Sequence, residues 1–440
     1  MSSVRIGERP GSSFHNPLRS NFEMDYDRII FCRPFRNLQD KTQVFPLPDQ
    51  DFVHNRLTHS LEVSSVGRSL GKNVGARIIE KYEELKGLTP SDFGAVVGAA
   101  ALAHDVGNPP FGHSGEEAIS DYFRFNPKAE KVKTSVSIEE WNDIIRFEGN
   151  AQGFRLLTRN QRQGLKLTQA TLAAFTKYPC SSSLNGRDGM RKSQKKYGYF
   201  KSEEALFKQM AEHLCLKKLS EKENVWARHP LAFLVEAADD ICYSIIDLED
   251  GFGLGLVTYE EARDFLASIL GDKYQPEKLA LIVSDQEKIG VLRAVAISIL
   301  IDQATDIFMT QEADMLAGKF DKAITDLIPA ADVLEQISDF SVKRIYQSRQ
   351  VLEKEAAGFE VINGLLEAFV EAVFNKHYHS EEYSGRNKSI YRLLPKEITQ
   401  KMTADMTQYD IVMIITDFIS GMSDRSALKT YRIVKGENLG

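Results

Sequence analysis

Apolar positions along this chain recur mostly at helical spacing. From Asp25 onward most segments repeat every three to four residues. In "NRLTHSLEVSSVGRSLGKNVGARIIEKYEEL", Leu57, Leu61, Val66, Leu70, Val74 and Ile78 continue one stripe, and Gly87 closes it. The segment "SDFGAVVGAAALAHD" opens at Ser91 as its N-cap and is apolar nearly all round, which predicts a buried helix. "FLVEAADDICYSIIDLEDG" is a second such helix, closed by Gly251. Further helices are predicted over 259–270, 287–310, 339–376 and 408–421. Strand signals are short and rare, "KTQVFPL" being one. The pattern predicts an all-α fold with minor short strands.

Two windows break the periodicity. "KYPCSSSLNGRDGMRKSQKKYGYF", 177–200, is rich in Ser, Gly, Lys and Arg and predicts a mobile basic loop centred on 178–198; "KHYHSEEYSGRNKS", 376–389, predicts a second polar loop. Residues 1–20 are polar and read as an arm. The expected organisation is a helical core over 21–255 and a helical C-terminal region over 256–440 packed on it.

Composition adds limits. The chain has 440 residues, 42% of them apolar, and a net charge of −7, so a polyanionic ligand needs a local basic pocket within an acidic protein. No apolar run approaches a membrane span, and "MSSVRIGERPGSSF" lacks the apolar stretch of a signal peptide. Cys32, Cys180, Cys215 and Cys242 are scattered without a CxxC, which reads as reduced thiols in a cytoplasm.

The chemistry concentrates in "LAHDVGNPPFGHSGEEAI". His104 and Asp105 end a buried helix, from where both can reach one ion placed over its end. Further ligands would come from His54 or His59 on the preceding helix and from Asp239 or Asp240 in "EAADDI", where an unpaired carboxylate inside an apolar helix is costly. Two imidazoles and two carboxylates suit a borderline or hard divalent ion with open positions, as hydrolysis requires. The Gly/Pro turn brings back His113, placed for proton transfer, and Glu116, placed to orient it. Ser114 and Glu117 have the spacing of a capping box, so Glu117 is given a structural task. Arg56, three residues before His59, offers a planar fork for a phosphate or a surface ion pair.

The blocks "HNRLTHSLEV", "LAHDVGNPPFGHSGEEAI" and "EAADDICYSIIDLEDG" resemble the HD-domain phosphohydrolases, and more narrowly the bacterial deoxyguanosinetriphosphate triphosphohydrolases. "RSNFEMDYDRIIFCRPFRNLQDKTQVFPL", "KKYGYFKSE" and "DFISGMSDRSALKTY" extend the resemblance from about residue 17 to about 435. It implies His59, His104, Asp105 and Asp239 as metal ligands, with Mn²⁺ or Mg²⁺ as the ion. It also implies His113 and Glu116 as the catalytic pair, Arg56 on phosphate, Gln43 and Tyr243 on sugar and base, and Lys196 and Tyr197 on the triphosphate. The implied reaction is hydrolysis of a deoxynucleoside triphosphate, dGTP favoured, to deoxynucleoside and tripolyphosphate, controlling dNTP pools. A homo-oligomer, often a hexamer, and a single-stranded DNA or dNTP effector are the implied partners, with the basic segment "RDGMRKSQKK" as the candidate DNA contact. The competing readings are a 5′-nucleotidase or cyclic-nucleotide phosphodiesterase of the same superfamily, and a non-catalytic dNTP- or nucleic-acid-binding regulator.

Overall fold

Two helices, Arg56–Lys81 and Pro90–Ala103, meet at the centre of the molecule, and glycine sets how closely. Gly67, Gly71 and Gly75 form a row at i, i+4 and i+8, so the facing helix can lie almost backbone to backbone. A Cβ on Gly71 would stand 2.7 Å from the carbonyl oxygen of Phe93, and one on Gly94 would stand 2.7 Å from Cγ of Lys72. The apolar Pro230–Gly253 helix packs across this pair, with Asp285–Leu316 behind it. The computed structural model describes residues 1–6, 19–43, 54–159, 164–184, 188–189, 191–403 and 405–437. Among these there is no sheet, only isolated bridges such as Arg5–Thr168 and Thr42–Asn55. The fold is all-α, and no described helix is long and apolar enough to cross a membrane.

The buried side chains form two cores. The first joins the three central helices to residues further on, including Leu266, Phe308 and Ile345. The second surrounds the Arg349–Tyr378 and Gln408–Ser420 helices and takes in Phe111, Ala118 and Ile119 from the segment after His104. Neither core is confined to one side of residue 255. The two halves are also joined by polar contacts. Lys41 Nζ donates to the carbonyls of Asn108 (2.5 Å) and Ser420 (2.8 Å). Asp417 accepts from Gln152 and Arg155 at 2.8 and 3.0 Å.

Several local expectations are corrected. Leu61 is 41% exposed, and the buried stripe runs instead through Val63, Val66, Leu70, Val74 and Ile78. The second central helix is capped by Thr89, not Ser91: its side chain accepts from the Asp92 amide while Asp92 returns a bond to the Thr89 amide, with Pro90 at the first position. The Pro230–Gly253 helix passes Gly251 and ends at Leu254. The stretch 339–376 is not continuous. A helix Ala331–Ser341 runs into a π-turn, Val342–Tyr346, and the chain restarts as Arg349–Tyr378. In "KTQVFPL", Thr42 bridges Asn55, and residues 44–47 lie outside the described ones. Within 177–200, where composition predicts mobility, Cys180, Ser193, Tyr197 and Phe200 are buried; 185–187 and 190 lie outside the description. The second polar loop is largely helical, because the preceding helix reaches Tyr378 and Ser384 caps a new one, Gly385–Leu393.

Candidate functional site

The turn after His104-Asp105 is shaped by close contact. Gly107 lies against the Gly149–Thr158 helix so tightly that a Cβ there would stand 2.0 Å from the Gly149 carbonyl oxygen. Phe111 takes the left-handed conformation (φ 63°), and Gly112 follows it with φ 60°. The Phe111 amide donates to Asp424 Oδ1 at 2.9 Å, so a C-terminal carboxylate holds the bend. The next helix then begins at Gly112. This removes the expected capping box, because Ser114 lies inside the helix rather than at its cap. It also places His113 in the first turn, exposed at the mouth of a cavity.

That cavity measures about 560 Å³ and gathers residues from across the chain. Gln43, Arg56, His59, His104, Asp105, His113, Glu116, Lys196, Asp239 and Tyr243 all line it. Tyr197 does not. Its ring is buried, its hydroxyl donates to the Arg146 carbonyl at 2.5 Å, and it borders a second concavity beyond Lys196.

At the floor, His59, His104 and Asp239 bring ligand atoms within 4.8 Å of one another. His59 Nε2 stands 3.2 Å from Asp239 Oδ1, and His104 Nε2 stands 3.5 Å from the same oxygen. His104 Nδ1 lies 2.7 Å from the Ala101 carbonyl, to which it donates, and Nε2 is the nitrogen that faces the group. Two imidazoles and a carboxylate in this spacing fit a divalent transition ion or Mg²⁺. Asp105 stands beside this trio. Its Oδ1 is 3.6 Å from His104 Nε2, while Arg56 Nη1 donates to its Oδ2 at 2.6 Å and Asn108 donates to Oδ1. Burial raises the Asp105 carboxyl, but Arg56, His104 and His59 outweigh it and hold the group at about 2. Burial likewise opposes ionisation of Asp239, and His104 and His59 reverse it, so that carboxyl too lies below its usual range.

The two residues left open beside these ligands have other partners. His54 Nδ1 is 2.6 Å from Asp250 Oδ1 and its Nε2 is 3.2 Å from Glu62. Asp240 accepts from Thr325 at 2.6 Å, and burial pushes its carboxyl up to about 6.

Above the floor, Glu116 Oε1 accepts from the Gly149 amide at 2.8 Å, and Lys196 lies between Glu116 (3.7 Å) and Glu148 (3.2 Å). Glu116 is therefore bonded to the backbone and not to His113. Desolvation in the cavity wall, then the cations Lys196 and Arg56, lower His113 from its ordinary value. Burial raises Glu116 against the pull of Lys196. Elsewhere in the lining the rings of Tyr243 and Tyr346 stack at 5.8 Å and 7°, and the Tyr346 hydroxyl donates to Asp247. Two buried polar atoms in the lining have no partner: Arg56 Nε and Gln43 Oε1.

Sequence reasoning missed Asn108, Lys177, Glu148 and Tyr346. Asn108 was legible, because an amide three residues after Asp105 can fold back on it. Lys177, which pairs with Glu236 at 3.4 Å at the cavity edge, was hidden in a segment read as loop. Tyr346 carries no local signal; the π-turn directs it.

Two family models match this chain. The HD domain family matches residues 56–145, and the phosphohydrolase-associated domain family matches residues 329–433. A deoxyguanosinetriphosphate triphosphohydrolase-like protein of Synechocystis sp. is 41% identical, over 100% of this chain and 99% of its own length. One from Pseudomonas aeruginosa is 38% identical over 100% and 98%. The deoxyguanosinetriphosphate triphosphohydrolase of Salmonella paratyphi A is 32% identical over 93% and 92%.

Proposed function

This chain belongs to the deoxyguanosinetriphosphate triphosphohydrolase-like family of HD-domain hydrolases, and from that premise we propose that it hydrolyses deoxynucleoside triphosphates, dGTP among them, to deoxynucleoside and inorganic tripolyphosphate. The observation that carries the reading is the meeting, in one cavity, of the His59–His104–Asp239 donor set, a buried arginine and a proton-transfer histidine.

His59, His104 and Asp239, with Asp105 alongside, would hold Mn²⁺ or Mg²⁺. When bound, such an ion supplies Lewis acidity to the α-phosphoryl group. Arg56 is placed between Asp105 and the cavity, and its unpartnered Nε suits an anionic phosphate oxygen. It would bind the α-phosphate in the ground state and more tightly as charge develops there. His113, lowered from its ordinary value by burial and then by Lys196 and Arg56, takes the proton of a water attacking the α-phosphorus in line. The P–O bond to the 5′ oxygen breaks, that oxygen takes up the proton the water gave to His113, and the deoxynucleoside leaves as the alcohol.

Lys177, Lys195 and Lys196 border the cavity and would offset the charge of the phosphates. The stacked Tyr243–Tyr346 pair forms a flat wall for the sugar. Gln43 Oε1 is an open acceptor for a hydroxyl or a base N–H.

The test is product identification. Purified protein is incubated with Mn²⁺ or Mg²⁺ and each of the four dNTPs and GTP, beside a His104→Ala control. Tripolyphosphate and deoxynucleoside, absent in the control, support the reading. Orthophosphate or pyrophosphate as the inorganic product, or no turnover of any dNTP, refutes it.

A further inference from the structure

The wall formed by His113, Glu116, Lys195 and Lys196 has two sides. Its inner side faces the cavity described above, and its outer side faces a shallow, open shelf of about 550 Å³. All four residues line both. The shelf adds Arg124, from the last turn of the Gly112–Phe125 helix, and Arg146, which caps the Ile138–Ile145 helix.

Charge separates the two spaces. On the shelf four cations, Arg124, Arg146, Lys195 and Lys196, face three carboxylates, Glu116, Glu117 and Glu148. Burial raises Glu116 and Glu148, so both take a proton more readily than a surface acid. The inner lining sets the four cations Arg56, Lys177, Lys195 and Lys196 against six carboxylates, Asp105, Glu116, Glu236, Asp239, Asp240 and Glu355. In a chain with a net charge of −7, a basic concavity touching the active site calls for a ligand.

We propose that this shelf is a second mouth of the active site, an oligophosphate subsite that takes inorganic tripolyphosphate as it leaves. This rests on the hydrolase reading above. When the bond to the 5′ oxygen breaks, the triphosphate gains an ionisable oxygen and loses its covalent tie to the sugar. The nucleoside remains against Tyr243 and Tyr346, which line the inner cavity and not the shelf. Beyond Lys195 and Lys196, which border both spaces, the shelf offers the freed anion Arg124 and Arg146, so it departs past Lys196 while the nucleoside leaves by the inner mouth. Arg124 meets Asp121 only at 3.5 Å, and Arg146 gives one Nη1 bond to the Ser182 carbonyl at 3.1 Å. A guanidinium so placed can still offer donors to a phosphate.

The test uses the full-length chain with Arg124→Gln, Arg146→Gln and the double substitution. Inorganic tripolyphosphate is titrated calorimetrically in EDTA, and in parallel its inhibition constant and the KM for dGTP are measured with Mn²⁺. Each substitution is expected to weaken tripolyphosphate binding roughly tenfold, the value of one charged hydrogen bond. The inhibition constant should rise by a larger factor than KM. Arg124→Gln alters a partly exposed residue that makes only one long ion pair, so it preserves the test if Arg146→Gln disturbs folding. Unaltered tripolyphosphate binding, or a KM that rises by the same factor, overturns the proposal. Weakened tripolyphosphate binding in a chain that hydrolyses no dNTP overturns the hydrolase reading and leaves the anion shelf standing.

Discussion

Replacing His54 by glutamine probes how the helix that carries His59 is anchored. The imidazole stands 2.6 Å from Asp250 and 3.2 Å from Glu62, with 20% of its side chain exposed. Desolvation opposes its charge, but hydrogen bonds and attraction from Asp250 and Glu62 outweigh that and raise it from 6.5 to about 10. A raised histidine stabilises the fold fully below its unfolded value and loses that contribution as pH climbs through about 10. At about 1.4 kcal/mol per pH unit, the rise has a ceiling of about 5 kcal/mol, of which about 3 remains at about pH 7.5 and about 1 at about pH 9. His54→Gln should therefore destabilise the protein by about 3 kcal/mol at about pH 7.5, in the range for breaking a buried pair. The gap to the unmodified protein should close by about 2 kcal/mol by about pH 9. Urea unfolding of both proteins, followed by circular dichroism across that window, measures it. Other titrating groups are common to both and cancel. A gap that is constant or widens with pH would show that His54 is not held as a cation by Asp250 and Glu62.

Four further outcomes are expected. Gly107→Ala places a Cβ 2.0 Å from a backbone oxygen with no side chain able to give way, and should cost more than about 3 kcal/mol in thermal or urea unfolding. Asp239→Asn should weaken Mn²⁺ binding by more than about a hundredfold in calorimetry, beyond the loss typical of outer contacts, while helicity is retained. Tyr346→Phe removes the hydroxyl that serves Asp247 at the cavity wall and should raise KM for dGTP with Mn²⁺ affinity kept; equal losses in both would refute this division. Lys196→Gln removes a cation that lowers His113, so the acid limb of the kcat/KM profile should move to higher pH, and a downward move would contradict the assignment of His113 as base.

Much of the candidate site was legible because its residues lie in local patterns. His104-Asp105 at the end of an apolar helix, the Gly/Pro turn, and Asp239 in an otherwise apolar stretch each violate the surrounding pattern in a way that chemistry explains. Capping errors arose where two polar residues competed: Thr89 and Ser91 both precede the same helix, and Pro90 decides for Thr89 by occupying the first position. Ser114 failed as a cap because the left-handed Phe111 and Gly112 start the helix three residues earlier.

The sequence by itself determined the class of fold, the helices with strong apolar period, and the set of imidazoles, carboxylates and the arginine that meet in the cavity. Those follow from spacing along one chain, which local physics reads directly. The family resemblance pointed to His59 and Asp239 over His54 and Asp240, but the tertiary structure supplied the geometry that turns them to the same point, because that depends on how the Arg56–Lys81 and Pro230–Gly253 helices pack. It also decided that Glu116 serves the Gly149 amide, that Tyr346 from a π-turn stacks on Tyr243, and that Asp424 holds the bend at Phe111. Each of these pairs residues tens to hundreds of positions apart. Their geometry is set by how two apolar cores pack against each other, and no local window of the sequence contains that information.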